Sequence, residues 1–118
     1  MMELIACLST GKGTWGHVSR LIADGQWSKV ILVTNQFGKE NYTNEKPVTL
    51  IVIDDRGPLE EIRDTLIKEL QGKLDGPEVA VNLASGSGKE HMALVAALLK
   101  SGLGMRFYAL TKDGIKDL

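Results

Sequence analysis

Between Glu78 and Ser101 the chain reads EVAVNLASGSGKEHMALVAALLKS, and the order of residue types in this stretch decides the fold. Glu78 to Leu83 is a short apolar run of the kind a parallel sheet buries on both faces. Ala84 to Lys89 is a small-residue turn with glycine at 86 and 88. Glu90 to Ser101 then runs as a helix that stops at Gly102. A strand that passes through a glycine turn into a helix is half of a crossover unit, and such units are right-handed almost without exception.

The same order recurs on either side. Met2 to Leu8 is an apolar strand that runs through Ser9 and Thr10 into Gly11, Lys12, Gly13, Thr14, Trp15 and Gly16. Val18, Leu21 and Ile22 then repeat at helical spacing as far as Gly25, expected as a left-handed terminal residue. Lys29 to Thr34 is the second strand. Gln36 to Lys46 is polar and reads as a surface loop closed by Pro47, and Val48 to Ile53 is the third strand. Pro58 suits the first position of a helix whose apolar face is Leu59, Ile62, Leu66, Ile67, Leu70 and Leu74. Met105 to Leu110 is the fifth strand, and Asp113 with Gly114 can turn the chain into a short antiparallel sixth strand from Ile115 to Leu118. This alternation predicts a single α/β domain over residues 1–118. It has a mostly parallel, Rossmann-like sheet of order 3-2-1-4-5, a terminal antiparallel hairpin strand 6, and helices on both faces.

Composition narrows the function classes. Of 118 residues, 14 are Lys or Arg and 15 are Asp or Glu, a formal net charge of -1 that removes the global attraction a duplex nucleic-acid binder relies on. The longest apolar run, Met92 to Leu99, falls far short of the roughly 20 residues of a membrane span. Cys7 stands alone, so the chain can form no internal disulfide, and a cytoplasmic location is expected. The run from Met92 to Leu99 also lacks the polar face that a helix covering a sheet shows to water. A second subunit is therefore expected over it, with Leu98 and Leu99 as candidate interface residues and deep burial within the single domain as the alternative.

In a sheet of order 3-2-1-4-5 the winding reverses between strands 1 and 4, and ligands bind beyond the carboxyl ends of the strands at that point. Both glycine turns belong there. Gly11, Gly13 and Gly16 satisfy G-x-G-x-x-G, but strand 2 ends in Asn35 and Gln36, where a nicotinamide site wants an acid for the ribose, so no such cofactor is expected. Ser85 to Lys89 resembles a P-loop in which Leu83 replaces the leading glycine and Glu90 the magnesium-binding hydroxyl, which argues against an NTPase. The turn still opens a helix whose first N–H groups, with Lys89, suit an anion. His17 and His91 each follow a glycine turn and are the side chains suited to proton transfer near neutrality. Trp15 is a candidate base-stacking residue as well as a packing one. No metal site is expected, because Asp54 and Asp55 leave the outlying strand 3.

The run Val79 to Met92, with Asn82 near the strand end before a small-residue turn and Lys89, resembles the most distinctive motif of the CRISPR-associated Rossmann fold (CARF) domains. Ser9 and Thr10 match the Ser or Thr those domains carry at the end of strand 1, and Arg106 to Leu118 matches their closing hairpin. The resemblance implies a homodimer whose two crevices join into one pocket for a cyclic oligoadenylate, a second messenger of CRISPR antiviral signalling. Carried over residue by residue, it implies ligand contacts from Ser9, Thr10, Gly11, Asn82, Ser85, Gly86, Ser87, Gly88 and Lys89. The turn residues Gly13 and Trp15 are candidates beside them. The usual effector domain does not follow, which implies a stand-alone sensor, a metal-independent ring nuclease or part of a longer protein. For a ring nuclease the candidate catalytic residues are Ser9, Lys89, His17 and His91. Without the resemblance, the same residues fit a non-catalytic α/β module that binds a mononucleotide or a protein partner.

Overall fold

The structure, a computed structural model, describes residues 1–8 and 10–118. The elements in chain order are β1 (Glu3–Cys7), α1 (Trp15–Asp24), β2 (Lys29–Thr34), α2 (Gln36–Asn41), β3 (Thr49–Val52), α3 (Leu59–Leu70), β4 (Glu78–Asn82), α4 (Gly88–Lys100), β5 (Gly104–Thr111) and β6 (Gly114–Asp117), with a 3-10 turn over Lys12–Thr14 leading into α1. One sheet of order β3-β2-β1-β4-β5-β6 carries them. All pairs are parallel except β5 with β6, so the expected topology is the observed one.

Side chains alternate across the pleat and divide the core in two. Ile5, Cys7, Ile31, Val33, Val79 and Val81 point to the face covered by α3 and α4, where they meet Ile62, Leu66, Leu94 and Leu98. Leu4, Ala6, Leu8, Leu32 and Ala80 point to the other face, against Val18, Leu21 and Ile22 of α1. Leu94 and Leu98 are wholly buried, each contributing roughly 2–3 kcal/mol by transfer from water.

Strand ends lie within one residue of the sequence reading, α3 stops at Leu70 where its apolar face was expected to reach Leu74, and other helix ends depart further. The segment from Gln36 is no surface loop at its start. Asn35 accepts a 3.0 Å hydrogen bond from the Gly38 N–H and so caps the short helix α2. Gly25 ends α1 in an extended conformation, with φ -88° and ψ 161°, not a left-handed one. Glycine is required there because a Cβ would lie 2.2 Å from Nε1 of Trp27, which donates to the Leu21 carbonyl at 2.9 Å. Pro58 is the cap of α3 and not its first residue. The helix α4 begins at Gly88, two residues earlier than expected, because Ser87 caps it by accepting from the Glu90 N–H. At its other end Gly102 (φ +76°) donates to Leu99 and Leu103 donates to Leu98, each at 3.1 Å, which satisfies the last carbonyls.

Candidate functional site

β1 and β4 lie side by side, and the turns that leave their carboxyl ends are tied together: Thr14 Oγ1 donates to Ser85 Oγ at 2.7 Å. Thr14 went unremarked in the sequence, because nothing local to it signals a partner 71 positions away. Gly86 holds a φ of +98°, and a Cβ there would lie 2.9 Å from Cβ of Cys7, so the turn sits directly on β1. At Gly11 and Gly13 an added Cβ would meet nothing within 4 Å, so the first turn is open to approach.

Around these turns the candidate residues divide into those that face outward and those that hold the turns in place. Thr10, Gly11, Gly13, Gly88 and Lys89 are exposed, and Lys89 Nζ reaches the Asp55 carbonyl at 3.4 Å. Ser87 is exposed as well, but its hydroxyl donates to Glu90 Oε1 at 2.9 Å while it caps α4. Ser-x-x-Glu is a helix-start signal that the sequence carries openly at Ser87 and Glu90. Ser85 and Asn82 are buried. Asn82 donates to the Tyr108 carbonyl at 2.8 Å and accepts from the Ala84 N–H at 3.2 Å, which locks the strand end to β5. Trp15 is 8% exposed and packs against Tyr42 (5.5 Å between ring centroids) and Phe37 (5.9 Å), so it is a core residue and not a base-stacking one. Ser9 lies outside the described residues.

The two histidines come from helices on opposite faces of the sheet, and each has its Nε2 engaged. His17 Nε2 faces the Asn82 amide nitrogen at 3.1 Å and the Leu110 N–H at 3.4 Å. Both partners are donors, so Nε2 accepts and the ring proton sits on Nδ1. His91 Nε2 lies 2.7 Å from the Ser85 carbonyl, which can only accept, so here Nε2 carries the proton. Burial, with the Glu90 carboxylate adding to it, pushes the Cys7 thiol up to about 12, so it stays neutral and unreactive beneath the turn. Among the described residues no three His, Cys, Asp or Glu side chains converge as a metal site, and no helix is long and apolar enough to cross a membrane.

An open cleft of about 530 Å³ lies to one side of the switch point, beyond the ends of β1, β2 and β3. Thr10, Asn35, Gln36, Phe37, Asp55 and Arg56 are among its lining residues. Asn35 Nδ2 donates to Thr10 Oγ1 at 2.6 Å and to Asp55 Oδ2 at 3.0 Å, which joins the ends of the three strands.

No family model matches the chain, and no curated protein matches it in sequence.

Proposed function

We propose that this chain is a dimeric receptor for a cyclic oligoadenylate, bound across the two-fold axis at the β1 and β4 turns of both protomers. The observation that carries this reading is the 2.7 Å hydrogen bond from Thr14 to Ser85, which makes one continuous rim of the two glycine turns at the switch point of the sheet. Lys12 and Lys89 are exposed cations on that rim, and the first N–H groups of α4 beside Lys89 favour a phosphodiester. Glu90 works against an anion at this turn; its carboxylate is buried and accepts from the Ser87 hydroxyl.

Dimerisation is supported by the outer face of α4, where Met92 and Leu99 are each 61% exposed, beside Phe107 of β5 at 40%. Leu98, by contrast, is wholly buried against the sheet and is not an interface residue. Binding is favoured over cleavage, because both imidazoles are engaged at Nε2 in hydrogen bonds that hold the turns. A thermal-shift panel of cyclic tetra-adenylate, cyclic hexa-adenylate, linear adenylates, ATP and NAD tests the reading. A ring at 100 times its Kd adds about 2.7 kcal/mol of stability, and the gain is expected to disappear in Lys89→Ala. A labelled ring is expected to remain intact over hours with excess protein. The proposal fails if neither ring raises the melting temperature.

A further inference from the structure

We infer that the cleft beyond β1, β2 and β3 is a ribonucleoside site that requires a free 2′,3′-diol, with Asp55 as the acceptor for that diol. This does not rest on the cyclic oligoadenylate reading, whose rim the cleft meets at Thr10 and where Lys89 reaches the Asp55 carbonyl. In a sheet of this kind a ribose is held by a carboxylate at the end of the second strand. This chain has Asn35 and Gln36 there, and on sequence alone the acid is missing.

The register supplies it from the neighbouring strand. Thr34 of β2 pairs with Val52 of β3, and the Ile53 N–H donates to the Thr34 carbonyl at 2.8 Å. The chain leaving β3 therefore runs beside the chain leaving β2, and Asp55 Oδ2 comes to 3.0 Å from Nδ2 of Asn35. Asn35 uses its whole amide: Oδ1 caps α2 through the Gly38 N–H, and the two Nδ2 hydrogens go to Thr10 and Asp55. Among the described residues, Asn35 is the side chain that donates to this carboxylate, while an ionised carboxylate can accept about four hydrogen bonds. Two vicinal hydroxyls are the partners its remaining acceptor sites suit.

The rest of the lining matches the other parts of a nucleotide. Phe37, an exposed aromatic ring at 37%, lies in the lining beside Asn35 and is backed by Trp15, a flat apolar surface suited to a base. Arg56 supplies an exposed guanidinium at the same cleft, able to meet a 5′-phosphate. A volume of about 530 Å³ lies within the range of small-molecule sites. A ring of 3′–5′ linkages offers no free diol, so this cleft and the switch-point rim select different ligands.

Isothermal titration with AMP, 2′,3′-dideoxy-AMP and ribose 5-phosphate tests the assignment. AMP is expected to bind at least about tenfold more tightly than the dideoxy analogue, as for a site built to bond hydroxyls, and more tightly than ribose 5-phosphate. Asp55→Asn keeps an acceptor for Asn35 and is expected to abolish the preference for the diol, with an unchanged circular dichroism spectrum and melting temperature. No heat with AMP, equal affinity for AMP and its dideoxy analogue, binding of ribose 5-phosphate as tight as that of AMP, or a preference that survives in a folded Asp55→Asn would each overturn it.

Discussion

Thr14 and Ser85, 71 residues apart, share a 2.7 Å hydrogen bond between their side-chain hydroxyls at the carboxyl edge of β1 and β4. Ser85 is 1% exposed, so this bond forms where water competes poorly. Thr14→Val keeps the shape of the side chain and removes the donor. A loss of about 1 kcal/mol is expected, read as a fall of roughly 4 °C in melting temperature. A ring ligand bound at the rim is expected to lose affinity in the same variant, by titration at equal salt.

Gly86 combines a left-handed φ of +98° with a space that a methyl group cannot enter without moving Cys7 or His91. Gly86→Ala is expected to cost at least about 2 kcal/mol in urea unfolding, from backbone strain and overpacking together. Gly11→Ala is the control. Gly11 has a φ of -78° and open space around it, and a change within about 0.5 kcal/mol is expected there.

Leu98 and Leu99 are neighbours on α4 with opposite environments, the first 0% and the second 61% exposed. Leu99→Glu is expected to leave the fold intact and to convert dimer to monomer in light scattering at tens of micromolar. Leu98→Glu puts a carboxylate into the core with no partner and is expected to lose at least about 3 kcal/mol or fail to fold. An unmodified chain that scatters as a monomer at that concentration would overturn the dimer.

Burial, and the Glu90 carboxylate after it, push the Cys7 thiol from its ordinary value of 9.0 up to about 12, so the folded chain holds its proton more tightly. Between those values the unfolded chain binds fewer protons, and stability therefore falls as pH rises. The full contribution is present below pH 9, and the loss approaches about 1.4 kcal/mol per pH unit above it. Urea unfolding of Cys7→Ala at pH 8 and pH 10 is expected to show a smaller drop than the unmodified chain. Alkylation of the native thiol at pH 8 is expected to be far slower than in urea.

Strand order, the parallel sheet and the terminal hairpin were legible from apolar runs of strand length, helical periodicity from Leu59 to Leu74, of which the helix keeps the part to Leu70, and glycine turns between them. Helix starts were less legible. The Ser87 and Glu90 pair that opens α4 is written in the sequence as Ser-x-x-Glu, but the same residues lie in a run that also fits a phosphate loop. The cap of α2 by Asn35 gives no such pattern, since the residues after it look like loop.

By itself, the sequence determined the alternation of elements, the handedness of their crossovers and the place where the winding reverses, because each depends on spacing along the chain and on the chirality of the backbone. Only the tertiary structure decided which polar groups meet. The pairing of Thr14 with Ser85, of His17 with Asn82 and of Asn35 with Asp55 depends on the register between strands far apart in sequence. Trp15 and Leu98 lie in the core, and Leu99 lies outside it, for the same reason. Exposure is set by what packs against a residue, and no residue carries that in its own type.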